Sequence, residues 1–491
     1  MRLIFQLVLL LIGAVLVVSK VNGRPKAPKE ARLNSNPLAV TRDAIEAGKI
    51  AFQSYCSPCH GEDGKARGKE ARRLRVRPTN LSNRLIDART DGELYWVITH
   101  GIDDNMPGFG SDVSETQRWQ VVMYVRDIRK QQRDVEISEL GPYKWDLPEG
   151  FPYPRVPADN LMTEEKVELG RYLFYDTRLS LNQTQSCATC HQQKYAFADG
   201  HGRGVGSTGE VHPRGPMSLV NVAYSPVLTW ANPNMHRLET QALVPMFGED
   251  PIELGMSGQE ALLLERLRAE PVYRKLFPAA FPDDADPFTV GNVTKAIASF
   301  ERTIVSAGSP YDLYQRGEDL NAISELAKRG EQLFFTERLD CFHCHGGINF
   351  YGPIDYYGKI FPEQAFHNTG LYNLAGKFSY PEPNLGLYSF TEDAADIGKF
   401  KAPTLRNIAV TAPYMHDGSI ATLNEVIDHY AVGGRSIEFG PDAGEGSKNS
   451  NKSQFVKGFS LTPQEKRDIM AFLDSLTDSK LLLDPKLSNP W

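Results

Sequence analysis

Apolar residues along this chain recur mostly at three- and four-residue intervals. That pattern predicts amphipathic helices over Thr163–Phe174, Gln259–Leu267, Val290–Val305 and Ile323–Phe335, and a further helix over Glu115–Lys130. Two-residue alternation, the mark of strands, is rare. Proline and glycine are frequent between the helical stretches, which predicts long irregular connections. The chain therefore reads as mainly α. The pattern also repeats. Gly170-x-x-Leu173-Phe174 followed by Arg178-Leu179 recurs, at the same offsets, as Gly330-x-x-Leu333-Phe334 followed by Arg338-Leu339. Gly48-x-x-Ala51-Phe52 is a weaker copy. Self-similarity of this kind marks copies of one structural unit.

Each copy leads into the same pentapeptide: Cys56-Ser57-Pro58-Cys59-His60, Cys187-Ala188-Thr189-Cys190-His191 and Cys341-Phe342-His343-Cys344-His345. These three segments hold all six cysteines of the 491-residue chain. C-x-x-C-H is the attachment signature of c-type haem. On one helical turn its thiols and imidazole share a face. Two thioethers can then hold one porphyrin while the imidazole sits under the iron. The other use of C-x-x-C pairs is zinc or a disulfide. Three copies with no cysteine left over favour three covalently bound haems, with His60, His191 and His345 as proximal ligands.

The ends and the charge set the compartment. Arg2 and the apolar run Leu3–Val18, closing near Gly23, read as a secretory signal peptide over residues 1–23, or as a retained N-terminal membrane anchor. Both place the body of the protein in a periplasm. Polar, proline-rich stretches at 24–41 and 136–159 read as linkers. The expected domains are thus 42–135, 160–310 and 311–491, three cytochrome c-like haem domains, the last two forming a pair. A net charge of −7 gives no ground for nucleic-acid binding. One cluster runs against it: Lys65, Arg67, Lys69, Arg72, Arg73, Arg75 and Arg77, opposed within the cluster by Glu70 alone. It reads as a solvated face, a docking face or a set of haem propionate partners.

Residues 42–135 have the size and order of a small class I cytochrome c. The attachment site comes early, Asn105-Met106-Pro107-Gly108 follows in a polar loop, and a helix closes the domain. The segment resembles monohaem cytochromes c throughout. Met106 is the expected sixth ligand, with His100 as the other candidate. A thioether raises the potential of a haem and closes its iron to small molecules. A haem of this kind carries electrons.

From Leu161 onward a series of motifs occurs in order: Leu173-Phe174-Tyr175-Asp176, Ala196-Phe197-Ala198-Asp199-Gly200, Asn221-Val222-Ala223-Tyr224, Trp230, Asp250-Pro251-Ile252-Glu253-Leu254-Gly255, Ala402-Pro403-Thr404-Leu405-Arg406-Asn407 and Ala412-Pro413-Tyr414-Met415-His416-Asp417-Gly418. Together they resemble the bacterial di-haem cytochrome c peroxidases, and in particular their MauG-type relatives, which mature other proteins by oxidation. The resemblance implies that hydrogen peroxide reacts at the haem on His191. Glu253 matches the family's catalytic glutamate, and Gln241 a neighbouring glutamine able to hold water or peroxide. Trp230 matches the tryptophan between the haems. Glu210 stands where the peroxidases carry a movable histidine, and His212 is two residues away, so a reductive switch is not expected. Tyr430, fourteen residues after His416, stands where peroxidases have a methionine ligand and MauG-type enzymes a tyrosine. It is the expected sixth ligand of the haem on His345, with Met415 competing. Thr229-Trp230-Ala231-Asn232-Pro233 resembles the subgroup linked to copper-peptide operons, whose members oxidise a tryptophan on a partner. The family's inter-haem calcium ion maps to carbonyls of Thr411 and Pro413, but its asparagine ligand maps to Gly215, which argues against calcium.

The expected function is a periplasmic tri-haem oxidoreductase that reduces hydrogen peroxide with electrons relayed through its other haems. The alternatives are MauG-like oxidation of a partner protein and a non-enzymatic electron wire. Its expected partners are peroxide and an electron-donor protein or protein substrate. By analogy with di-haem relatives, a homodimer is the assembly to look for.

Overall fold

The computed structural model describes residues 27–491 apart from 84–85, 88, 103–104, 149–150 and 360. The expected leader over 1–23 lies outside the described residues, as does the start of the 24–41 linker. The chain divides into two compact units, Met1–Asp134 and Val135–Trp491. Among the described residues no helix is long and apolar enough to cross a membrane. Among the described residues strand is confined to two-residue pairs: β1 (Phe366–His367) with β2 (Phe400–Lys401), and β3 (Ser436–Ile437) with β4 (Gly444–Glu445), both antiparallel.

In the first unit, α1 (Arg42–Tyr55) begins at Thr41, whose hydroxyl accepts the Ala44 N–H. The attachment turn α2 (Ser57–His60) follows directly. Helix α3 (Asp91–His100) starts in a Thr90–Glu93 capping box, and α4 (Glu115–Glu139) closes the unit. Residues 27–41 are bound to this unit rather than free: Arg32 pairs with Glu93 and the Asn36 amide donates to the Trp119 carbonyl.

The second unit has two apolar cores. One gathers Leu173, Phe174, Phe197, Leu263, Phe277 and Phe300. The other gathers Tyr311, Phe334, Phe350, Tyr380, Ile427 and Phe472. They exchange chain: Leu481 and Leu487 from the C-terminus return to the first core, and Ala231 belongs to the second. The helices that build the sites are α5 (Glu164–Phe174), α6 (Cys187–Cys190), α7 (Leu238–Gln241), α8 (Val290–Glu301), α9 (Glu325–Phe334), α10 (Cys341–Cys344), α11 (Leu423–Ala431) and α12 (Pro463–Asp474).

The repeated Gly-x-x-x-Phe segment makes the same helix crossing three times. A Cβ on Gly48 would stand 2.0 Å from the Gln120 carbonyl oxygen on α4, one on Gly170 1.9 Å from that of Ala296 on α8, and one on Gly330 1.9 Å from that of Asp468 on α12. Only glycine lets the helices approach so closely. Four residues on, Phe52, Phe174 and Phe334 meet Tyr124, Phe300 and Phe472, with ring centroids 5.2, 5.1 and 5.2 Å apart. Each aromatic partner lies four residues beyond its glycine contact, one helical turn along the same face.

Three elements depart from the sequence pattern. The helix expected over Glu115–Lys130 continues to Glu139. The predicted helix over Val290–Val305 stops at Glu301, where the chain turns: Ile304 N–H donates back to the Glu301 carbonyl, and the Ile304 carbonyl accepts from Asn221. The proline-rich segment expected as a linker over 136–159 is helical as far as Glu139 and beyond that is part of the packed second unit. Phe151 and Tyr153 are buried, and Tyr224 donates its hydroxyl to the Pro152 carbonyl at 2.7 Å.

Candidate active site

Each of the three pentapeptides opens onto its own cavity. Cys56, Cys59 and His60 line the first with Met106 and Ile102. Cys187, Cys190 and His191 line the second, and Cys341, Cys344 and His345 the third. The empty space in the three, mouth included, is about 990, 1250 and 1200 Å³. All six cysteines are free and half-buried. The histidines are held alike. Nδ1 of His60 bonds the Thr79 carbonyl at 2.9 Å, that of His191 the Phe197 carbonyl at 2.8 Å, and that of His345 the Phe350 carbonyl at 2.8 Å. This sets the tautomer and leaves Nε2 free as a donor to a metal. Burial also lowers all three imidazole pKa values, His345 to about 4, so the rings are neutral and fit to ligate. Paired thiols, a pre-oriented imidazole and a largely apolar slot fit a covalently bound c-type haem at each place.

The cavities differ in their distal walls. In the first, Met106 stands in a loop closed by its contacts with Ile102, while His100 is exposed and bonds the Trp96 carbonyl. Met106 lines the cavity and His100 does not.

The second cavity is walled by ionisable and polar groups: Glu253, Gln241, His212 and Glu301. Burial alone pushes the Glu253 carboxyl up to about 7, which suits it to exchange a proton near neutrality. Its backbone is clamped. Ser207 N–H donates to the Glu253 carbonyl at 2.7 Å, and the Glu210 carboxylate accepts the Ile252 N–H at 3.1 Å. A Cβ on Gly206 would lie 1.9 Å from the Ile252 carbonyl oxygen. Glu210 therefore ties its loop to the Glu253 segment instead of reaching the cavity. His212, with its pKa lowered by burial, lines it together with Val205, Gly206 and Arg214 of the same loop.

The third cavity is more apolar and aromatic. Tyr430, on α11, lines it together with Met415 and His416, so the structure brings both candidate sixth ligands to one site. Burial raises the Tyr430 phenol well above its ordinary pKa, so charge on its oxygen depends on coordination to a cation. Met415 has φ +71, a conformation rare for a side-chain-bearing residue.

Trp230 lines both the second and the third cavity and is the residue common to the two linings. Its indole N–H donates to the Gly215 carbonyl at 2.8 Å, and its own carbonyl accepts from Lys401 N at 2.8 Å. On the third-cavity side it meets His416 edge-on at 6.4 Å, and His416 stacks on Phe400 at 3.9 Å.

At the asparagine's place in the expected calcium set, Gly215 offers no side-chain oxygen, and its carbonyl accepts from the Trp230 indole.

Three groups were not singled out as site residues by the sequence reading. Glu301 lines the second cavity with one carboxylate oxygen unpartnered, and burial pushes it up to about 8. The signal available was an acid ending the apolar run from Ala296 to Phe300. Lys401 lines the third cavity half-buried, with its pKa lowered by burial to about 7. Its ammonium donates to Ser225 Oγ and the Val227 carbonyl, both at 2.9 Å. His416 has a buried, unpartnered Nε2. Nothing local in the sequence marks Lys401 as a cavity residue, and His416 entered the sequence analysis only as part of a motif used to place Tyr430.

The comparisons agree with this architecture. The family described as di-haem cytochrome c peroxidase matches residues 164–320, and that described as cytochrome c oxidase, cbb3-type, subunit III matches residues 43–125. The methylamine utilization protein MauG of Methylorubrum extorquens is 34% identical over 67% of this chain and 82% of its own. Cytochrome-c peroxidase IdrP1 of Denitromonas iodatirespirans is 35% identical over 73% of this chain and 92% of its own. A crystal structure of a MauG-like protein associated with microbial copper homeostasis is 48% identical, covering 71% of this chain and all of that one, with a TM-score of 0.70.

Proposed function

This chain belongs to the di-haem cytochrome c peroxidase and MauG family, and on that premise we propose that it is a periplasmic tri-haem enzyme that reduces hydrogen peroxide at the His191 site. The haems, once bound, supply the redox chemistry that cleaves the O–O bond. His60 and Met106, His191, and His345 with Tyr430 are the residues that would hold their irons. The thrice-repeated Gly/Phe helix crossing supports one haem-binding domain per crossing, two of them within the second compact unit.

The chain's own residues manage the protons and the access. Glu253, as carboxylate, takes the proton from the oxygen of peroxide nearer His191. As acid it returns that proton to the departing oxygen, which leaves as water. Gln241 orients peroxide by hydrogen bonding through its amide. The Glu210 clasp holds Glu253 in place without any preceding rearrangement, which supports a site ready in the fully oxidised protein. Met106 closes the first site to peroxide and leaves it the task of carrying electrons. Tethering on one chain gives that carrier a high effective concentration.

The observation that carries this reading is that Trp230 forms a wall of both the cavity holding Glu253 and the cavity holding Tyr430. An aromatic side chain there can pass oxidising equivalents between the sites. A second reading, oxidation of a side chain on a partner protein, is favoured by Tyr430 and by the similarity to the copper-associated MauG-like protein. One experiment separates them. Fully oxidised protein receives one equivalent of peroxide, its spectrum is followed, and a reduced monohaem cytochrome is then added. Rapid, repeated oxidation of the cytochrome supports peroxidase turnover. A long-lived two-equivalent oxidised state with poor turnover supports the second reading. No reaction of the oxidised protein with peroxide overturns both.

A further inference from the structure

The loop Lys65–Arg77 follows the first attachment turn and returns along the mouth of its cavity. Leu74 and Val76 line that cavity, yet both are partly open to solvent, at 37% and 48% exposure. Arg73 and Arg75, which alternate with them, do not line it, and Arg77 sits among the lining residues. All seven cations of the loop, from Lys65 to Arg77, are exposed. Two are answered locally: Arg67 by Asp63 at 2.8 Å and Arg73 by Glu70 at 3.1 Å. Among the described residues Lys65, Lys69, Arg72, Arg75 and Arg77 meet no carboxylate within ion-pair distance. In a chain of net charge −7, this is a local inversion of sign placed beside a redox site.

We propose that this loop is the docking surface for an acidic electron-donor protein, one whose own redox centre is rimmed by carboxylates. The inference rests on reading the first unit as an electron carrier. Unpaired surface cations steer an oppositely charged partner during diffusion. Leu74 and Val76 supply a small apolar centre where the partner's redox edge can sit close to the haem, with the arginines as a polar rim. A lipid surface would need only the charge. The mixture of apolar and cationic residues at the cavity mouth fits a protein.

The test uses the full-length, haem-loaded protein and follows reduction of the first haem by stopped flow. Three reductants are compared: hexacyanoferrate(II), hexaammineruthenium(II) and a reduced acidic monohaem cytochrome c. Raising ionic strength from low to physiological should slow the two anionic donors by about tenfold, as screening removes the attraction, and should speed the cationic one. The variant K69E/R72E/R75E, whose residues do not line the cavity, should reverse the signs of these salt effects while leaving the spectrum of the first haem unchanged. Salt effects of one sign for all donors, or unaltered in the variant, overturn the proposal. So does co-sedimentation with anionic phospholipid vesicles that the variant abolishes while reduction by the acidic cytochrome is unaffected. If the first haem lacks a methionine-ligated spectrum, the carrier reading fails instead, whatever the salt effects.

Discussion

The His191 and His345 sites begin alike and end differently. Each follows a Gly-x-x-x-Phe crossing, and each presents paired thiols and an imidazole tied through Nδ1 to a carbonyl at 2.8 Å. The difference lies in the rest of the lining. The His191 cavity is lined by two carboxyls, an amide and a second imidazole. The His345 cavity presents instead Tyr430, Met415 and an aromatic stack of Phe400 on His416. A wall of proton-transfer groups suits a site where a small oxidant must exchange protons. A wall of aromatic and ligating groups suits one that is closed and holds charge. One attachment motif thus serves two tasks, and the task is set by side chains far from it in sequence.

The strongest way to break this contrast is Glu253→Gln, which keeps size and hydrogen bonding but removes the proton exchange. The peroxide reaction of the oxidised protein, measured by stopped flow, should slow by ~10²–10³-fold. Little change would show that another group, Glu301 first among them, handles the protons. Acidity probes the same contrast with a somewhat smaller effect. Burial raises the Glu253 pKa to about 7, so the base form needed to accept the peroxide proton is scarce below that pH and dominant above it. The rate should climb about tenfold per pH unit up to about 7 and then level off. Glu253→Gln should flatten this limb.

On the other side of the contrast, Tyr430→Phe should remove the proposed sixth ligand. We expect a change in the spin state of the His345 haem by EPR and a roughly tenfold shorter-lived two-equivalent oxidised state. An unchanged EPR spectrum would assign the ligand to Met415 or His416. Trp230→Phe keeps an aromatic wall but loses the indole and its 2.8 Å bond to Gly215. Communication between the two sites, read as simultaneous spectral change at both haems after peroxide, should slow several-fold, to about tenfold. Glu210→Gln should have the mildest effect. A neutral amide oxygen still accepts the Ile252 N–H, so the initial peroxide rate should fall no more than about threefold, whereas Glu210→Ala should cost more.

The attachment residues, the mainly helical class and the repeat were legible because each is local. A Cys-x-x-Cys-His turn, a helical period and a glycine followed at a fixed offset by phenylalanine need only a few consecutive residues. The near ends of most helices were legible too, since Thr163, Thr289 and Ser324 cap them through their own hydroxyls. The far end of the helix from Val290 was not. The periodicity continues past Glu301, and what stops it is a bond to Asn221, distant in sequence.

The candidate site divides along the same line. Glu253, Gln241, Trp230 and Tyr430 were singled out through resemblance to a family, and no periodicity or spacing in this chain would have chosen them unaided. Glu301 and Lys401 were passed over, and His416 served only as the reference point for Tyr430, because what distinguishes them is burial and an unmet or long-range partner.

By itself, then, the sequence determined that three copies of one attachment turn sit on helical units, since covalent anchoring and helix formation depend on neighbours along the chain. Only the tertiary structure decided that Glu253 and His191 line one cavity, that Met415, His416 and Tyr430 meet in another, and that Trp230 walls both. Those facts depend on which distant segments the packed core brings together, and on the desolvation that follows. Burial is what moves a glutamate toward neutrality and makes two otherwise similar turns chemically unequal.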